Sequence, residues 1–251
     1  MADYPTWAGM TPLVRYRLTH DLGRFLEKIG GTGVRVDAAV REGDVVGEIL
    51  QAASALPADL IVMGTHGRGG FQRWILGSAT EKILRQAPCP VMTICHVRPA
   101  LPSSGALFKT ILCAVDFSRS SLKALDHALS LAQEAGSRLT VLHVVDSLAE
   151  EDPMAQAHFN VPEFRRLLVR DARERLRQVV SEEARNWCEI DEIVVAGNAP
   201  RAILRRAGES GAGLIVMGAH GDGVLEPLVF GSTSHHVVRG ADCPVLTIRA
   251  A

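Results

Sequence analysis

The chain has 251 residues, with 27 lysines and arginines against 28 aspartates and glutamates and a formal net charge of −1. Apolar residues make up 47% of it, the composition of a globular protein with a core, and so neutral a chain has no global field to attract nucleic acid or an anionic membrane. The five cysteines, Cys89, Cys95, Cys113, Cys188 and Cys243, are odd in number and include no C-x-x-C pair, which argues against a disulfide scaffold and for a reducing compartment.

From the N-terminus, Met1 to Met10 has no basic start and no apolar core, so no signal peptide is expected. The longest apolar runs, 60–63 and 214–217, are strand-sized and far short of the roughly 20 residues that span a membrane. A cytoplasmic protein without membrane or nucleic-acid partners is expected. Residues 100–107 hold Pro, Ser and Gly and read as a linker. Beyond it, 110–115 is a short β-branched apolar run, expected as a buried strand. Ser118 or Ser120 offers the N-cap of a helix to about Ala135, with Leu122, Leu125, Ala128, Leu129 and Ala132 on one face and Gly136 at its C-cap. A strand over 138–145 follows. A long charged helix then runs from Pro162 to about Ala184. A strand over 192–196, a short helix over 200–207 and a strand over 213–217 come next. After a glycine-rich loop, a helix runs from Ser232 to about Arg239 and a last strand covers 245–249. Strands apolar on both faces that alternate with helices predict a doubly wound α/β fold on a parallel sheet.

The chain is internally duplicated. An offset of 154 residues, without gaps, carries Leu60-Ile61-Val62-Met63-Gly64 onto Leu214-Ile215-Val216-Met217-Gly218 and Cys89-Pro90-Val91 onto Cys243-Pro244-Val245. Over 59–95 against 213–249, seventeen of thirty-seven positions are identical. Residue 155 aligns with Met1, so 109–154 has no counterpart in the first copy. The expected organisation is an incomplete first domain over 1–98, lacking its first two strands and first helix, a linker over 99–108, and a complete domain over 109–251.

Both copies carry Gly-x2-Gly-x9-Gly-Ser: Gly64, Gly67, Gly77 and Ser78 in the first, Gly218, Gly221, Gly231 and Ser232 in the second. Gly218 follows a strand, where a ligand could approach the backbone closely. Gly231 and Ser232 open a helix, whose free N–H groups and positive dipole end favour an anion. The serine could cap the helix and also donate to a phosphate. The alternative is that the glycines only punctuate strand-to-helix turns and the serine is only a cap. There is no Walker lysine and no G-x-G-x-x-G fingerprint, which disfavours P-loop and dinucleotide readings.

Val115-Asp116-Phe117-Ser118, Leu142-His143-Val144, the glycine loops and Cys243-Pro244-Val245 together resemble the universal stress protein family. The match covers the second copy and the first from about Thr11. The resemblance implies a five-stranded parallel sheet in the order 3-2-1-4-5, with pairing through the last strand. That pairing would join the two copies within the chain, and would also support a homo-oligomer. From the family's ATP-binding members it implies that Ala114, Val115 and Asp116 meet adenine and ribose, with Val144 beside the base. Met217, Gly218, His220, Gly221, Gly231, Ser232 and Thr233 would line ribose and triphosphate, with ATP, and Mg²⁺ beside it, as the cofactor. Asp116 would accept from a ribose hydroxyl; its alternative role is as a partner of the helix cap at Ser118.

This chain departs from the pattern in two ways. The first copy has no equivalent of Asp116 or Leu142-His143-Val144 and keeps only the phosphate half of a site, in a loop with Arg68 and Arg73. In the second copy Asp222 and Glu226 stand where the first has Arg68 and Gln72, and each would repel a triphosphate by about a kcal/mol or less. Strand 60–63 would also lack a neighbour and expose an edge. Three explanations compete: a start codon further upstream, irregular packing on the intact copy, or strands supplied by a second chain.

The remaining candidates are weaker. His235 and His236 point about 100° apart on a helix, which suits a solvated pair better than a metal pair. His66 and His220 are equivalent loop residues, His143 reads as a satisfied core histidine, and Cys89 and Cys243 as packing residues. The arginine-rich stretch 163–185 alternates with acids and reads as a solvated helix face. No catalytic or metal-binding set is evident. The expected function is an ATP-binding stress regulator; the alternatives are a nucleotide-free interaction module or a slow ATP hydrolase.

Overall fold

The computed structural model describes residues 11–27, 33–65, 76–95, 108–146, 161–221 and 230–250. Two compact units are present, residues 1–52 and 53–251.

The first unit contains helix α1 (Pro12–Glu27) and most of α2 (Val45–Ala55), which crosses the boundary. Asp44 opens α2 by accepting from the Gly47 amide at 2.9 Å, and Val46 is buried. No residue of α1 is buried. By the 154-residue offset α1 matches residues 166–181, most of which lie in the helix Val161–Val179, whose Ala172 and Leu176 are buried. Leu18, the counterpart of Ala172, is 43% exposed. Residues 36–42, the counterpart of the strand over 190–196 in the second copy, form no strand.

The second unit is built on one seven-stranded sheet. Its elements are β1 (Ile61–Gly64), α3 (Ser78–Gln86), β2 (Val91–Ile94), β3 (Thr110–Ala114), α4 (Arg119–Ala135), β4 (Arg138–Val145), α5 (Val161–Val179), α6 (Glu182–Trp187), β5 (Ile190–Ala196), α7 (Ala199–Ser210), β6 (Leu214–Gly218), α8 (Ser232–Gly240) and β7 (Val245–Ile248). The strand order is β1-β2-β7-β6-β3-β4-β5. In the second copy's own numbering, five of these strands run 3-2-1-4-5. All neighbours are parallel except β2 and β7, which pair antiparallel.

The central strands are apolar on both faces, as a sheet covered on both sides requires. On one face Ile111, Cys113, Leu139, Val141, Leu214 and Val216 pack with Ala124, Leu125 and Ala128 of α4 and Leu176 of α5. On the other lie Leu112, Ile215 and Met217, with Ile203 of α7 and Val237 of α8 also buried.

Local signals explain the helix ends. Ser118 caps α4 by accepting from the Ser121 amide at 3.2 Å, and Gly136 closes it in the left-handed conformation at φ 60°. The charged helix expected to reach Ala184 ends instead at Val179. Ser181 accepts from the Ala184 amide and starts a separate helix, α6. Its hydroxyl offers the backbone a fresh N-cap, which wins over continuation. The short helix expected over 200–207 runs further at both ends, from Ala199 to Ser210, capped by Asn198 and closed by Gly211 at φ 62°.

Strand β1 is terminal in the sheet, and Leu60 (41%) and Val62 (54%) are exposed. Its counterpart β6 lies between β7 and β3. The edge foreseen from the missing strands is therefore open among the described residues. Truncation of a fully buried central side chain, Ile215→Ala, should lower unfolding free energy by about 2–5 kcal/mol. Denaturant titration checks this.

Candidate nucleotide site

The loops after β3 and β6 meet at the carboxyl end of the sheet. Asp116 follows β3 and directs Oδ1 at Ser118, accepting from its amide at 3.0 Å and its hydroxyl at 2.5 Å. The carboxylate thus holds the turn that leads into α4, and Phe117 inside that turn is left-handed at φ 65°. The other oxygen, Oδ2, lies beside Gly221: a Cβ there would come within 2.6 Å of it. Any larger residue there would have to push the carboxylate aside.

Gly218 has a different reason. A Cβ on it would meet the Ser121 amide at 2.8 Å and the Ser120 carbonyl carbon at 3.0 Å. The first turn of α4 is seated on this glycine, so protein packing already requires it. Ser120 donates a short hydrogen bond to the His220 carbonyl and fixes β6 to α4. Gly231, rather than Ser232, is the N-cap of α8, and no side chain caps that helix. The capping role expected for Ser232 is therefore corrected: it is the first helical residue, one past the N-cap position from which a side chain accepts from the N2 or N3 amide. The uncapped helix end keeps its donors and its partial positive charge for an anion.

Between these pieces lies a cavity of about 90 Å³, lined among others by Ala114, Val115, Asp116, Val144, Met217, Gly218 and Thr233. Seven expected residues thus share one cleft. Gly221 adjoins it through Asp116, Gly231 and Ser232 begin the helix that brings Thr233 in, and His220 contributes its carbonyl to the serines of α4. Sequence reasoning missed Ser121, Leu142, Ala199, Ile203 and Ser234. Leu142 was within reach, because it lies two residues from Val144 and so on the same face of β4. Ala199 and Ile203 are four apart on α7 and carried no motif. The cavity is well below the roughly 300–1,000 Å³ of small-molecule pockets.

The first copy repeats the phosphate half in detail. Thr80 donates to the Gly64 carbonyl at 3.1 Å and Ser234, its counterpart, to the Gly218 carbonyl at 2.8 Å. Gly77 donates to Thr65 at 3.0 Å as Gly231 does to Ala219 at 2.9 Å. Gly77 is the N-cap of α3, again without a side-chain cap, and Ser78 its first residue. Gly67, Arg68, Arg73, Asp222 and Glu226 lie outside the described residues.

His66 lies outside the described residues; His143, His235 and His236 have partners. His143 bonds through Nδ1 to the Val115 carbonyl at 2.7 Å and stacks on Phe117 at 4.6 Å between ring centres. The Arg175 guanidinium lies over the same ring at 4.1 Å. These groups cover the face of β4 opposite the cleft. His235 and His236 meet edge to face, 5.9 Å apart, and His236 bonds to the Ser232 carbonyl. Among the described residues no group of three or more His, Cys, Asp and Glu side chains could hold a metal.

The universal stress protein family model matches residues 2–94 and again 107–249. The chain belongs to the universal stress protein family. The two matches make it a tandem member. It is 32% identical over 149 residues to universal stress protein YxiE of Bacillus subtilis, across 57% of this chain and 100% of that one. It is 27% identical over 198 residues to a universal stress protein of Mycobacterium bovis, across 76% of this chain and 62% of that protein. The chain therefore spans less than two thirds of that relative's length. A universal stress protein of Archaeoglobus fulgidus shares the fold at a TM-score of 0.68 and 24% identity, over 97% of this chain and 81% of that one.

Burial lowers the pKa of His143 below its ordinary value, against the opposing pull of its bond to Val115 and of Asp116. The unfolded chain then takes up this proton first as pH falls. The stabilising contribution is complete above the unfolded value of about 6.5 and is lost as pH drops toward the folded one. Folding stability should fall with acidification through this window, and His143→Asn should flatten the slope. Urea unfolding across about pH 7 to 5 tests it.

Proposed function

We propose that the second copy binds an adenine nucleotide, ATP with Mg²⁺ beside its phosphates, and that occupancy regulates a partner surface or homo-oligomer during stress, in the cytoplasm. The supporting observation is the meeting of the Asp116 carboxylate with the uncapped N-terminus of α8 around one cleft. The apolar wall of Val144 and Leu142 suits a base. Asp116 keeps Oδ2 facing Gly221, where a ribose hydroxyl could donate to it. Thr233 and the first amides of α8 suit phosphate oxygens. We assign the domains as a partial copy over 1–98 and a complete one over 109–251, joined by the linker between them. No described helix is long and apolar enough to cross a membrane.

A second reading, an interaction module without nucleotide, draws on the small cavity and on the exposed apolar edge of β1. Calorimetric titration of the full chain with ATP and Mg²⁺ separates the two. Saturable binding is expected, weakened about tenfold or more by Asp116→Asn, since a hydrogen bond to a charged acceptor contributes about 1.5–3 kcal/mol. No heat at millimolar ATP with the chain folded favours the module.

A further inference from the structure

The turn after β3 serves both faces of the sheet. Asp116 lines the cleft, as do Leu142 and Val144 of β4. Phe117, the next residue, instead packs on the core cluster that includes Val141 of β4 and Leu176 of α5. His143 lies between Leu142 and Val144 and so projects to that same face of β4. The Phe117 ring meets the His143 imidazole at 4.6 Å between centres, and the Arg175 guanidinium of α5 lies over it at 4.1 Å. His143 is itself fixed, since Nδ1 donates to the Val115 carbonyl at 2.7 Å.

The backbone beneath the ring needs this hold. Phe117 is left-handed at φ 65°, where the Cβ of an L-residue crowds the carbonyl oxygen. Such a conformation persists only where its surroundings over-determine it. Asp116 Oδ1 accepts from the Ser118 amide at 3.0 Å, across that residue. If Phe117 relaxed to an ordinary φ, the Ser118 amide would swing away from Oδ1. The carboxylate, whose Oδ2 now adjoins Gly221, would then be released. Arg175 is exposed and does not line the cleft, so the ring is its contact with the Asp116 turn.

We infer that Arg175 is a positioning residue: from α5, through the Phe117 ring, it keeps the Asp116 carboxylate directed at the cleft. What the carboxylate would then hold rests on the nucleotide reading; the positioning belongs to the chain by itself. The cleft on one face of the sheet is thereby tied to a helix on the other.

The test has two arms, both on the full chain. In the first, without nucleotide, amide hydrogen exchange is followed by mass spectrometry over the segment from Asp116 to Ser121 and over β4. Arg175→Gln and Phe117→Gly should each quicken exchange in the segment and leave β4 protected. Phe117→Gly removes the ring while glycine accepts the left-handed backbone, and it leaves the Arg175 charge in place. Arg175→Lys keeps a cation for the ring and should recover part of the protection. In the second arm ATP with Mg²⁺ is titrated by calorimetry. Arg175→Gln and Phe117→Gly should each weaken binding by about twofold to fivefold, the scale of one exposed cation–π contact, and Arg175→Lys by less. Segment exchange unchanged in both variants, exchange that rises equally in β4, or Arg175→Lys no better than Arg175→Gln would overturn the inference. An ATP affinity unchanged in the variants while the wild type binds would do the same. No heat from the wild type removes the nucleotide reading instead, and the exchange arm still decides the positioning.

Discussion

The antiparallel pairing of β2 with β7 is the constraint on which the first copy depends. Strands β1 and β2 have four residues each and face only one another on their own side. A two-stranded sheet of that size is marginal in water. Pairing with β7 attaches it to a five-stranded sheet with a complete core, and the reciprocal threonine bonds pin the register at which the copies meet. A slip of one residue would turn Val91 and Val245 from the buried face to the other. The seam therefore decides that one sheet passes through both copies.

The same duplication explains the glycine loops. Gly64 and Gly218 each accept from a hydroxyl one turn into the following helix, through Thr80 and Ser234. Each loop folds back through an amide of the last glycine, and each helix starts without a side-chain cap. This is a backbone device, set by local geometry and indifferent to whether the rest of a site is present. Among the described residues the second loop meets the Asp116 carboxylate at Gly221, and the aligned first copy has no Val-Asp-x-Ser counterpart of that strand end.

Much of the fold was legible because the signals were local. Strand β4 was bounded by its own apolar run, and Gly136 closed α4 as its type suggests. The site was half legible. Asp116, Val144, Met217 and Thr233 sit on motif positions, and the structure brings them to one cleft. Ala199 and Ile203 do not, since α7 reaches the cleft only through tertiary packing that leaves no mark in spacing. The break at Ser181 was hidden because arginines and acids run on through it; only its side-chain bond shows that the helix restarts.

The glycines illustrate how a motif overstates its own meaning. Gly218 reads as a place for ligand to approach, yet the first turn of α4 fills the space its side chain would take. Gly221 is the more informative residue, since a Cβ there would displace the Asp116 carboxylate. Asp116 is also committed twice, with Oδ1 holding the α4 turn and Oδ2 facing the cleft. A carboxylate already ordered by two donors loses little freedom when a ligand reaches its second oxygen. The turn that begins α4 and the direction of Oδ2 toward Gly221 are thus one arrangement, and the left-handed backbone of Phe117 belongs to it. The stack of His143, Phe117 and Arg175 on the opposite face holds that strained residue in place.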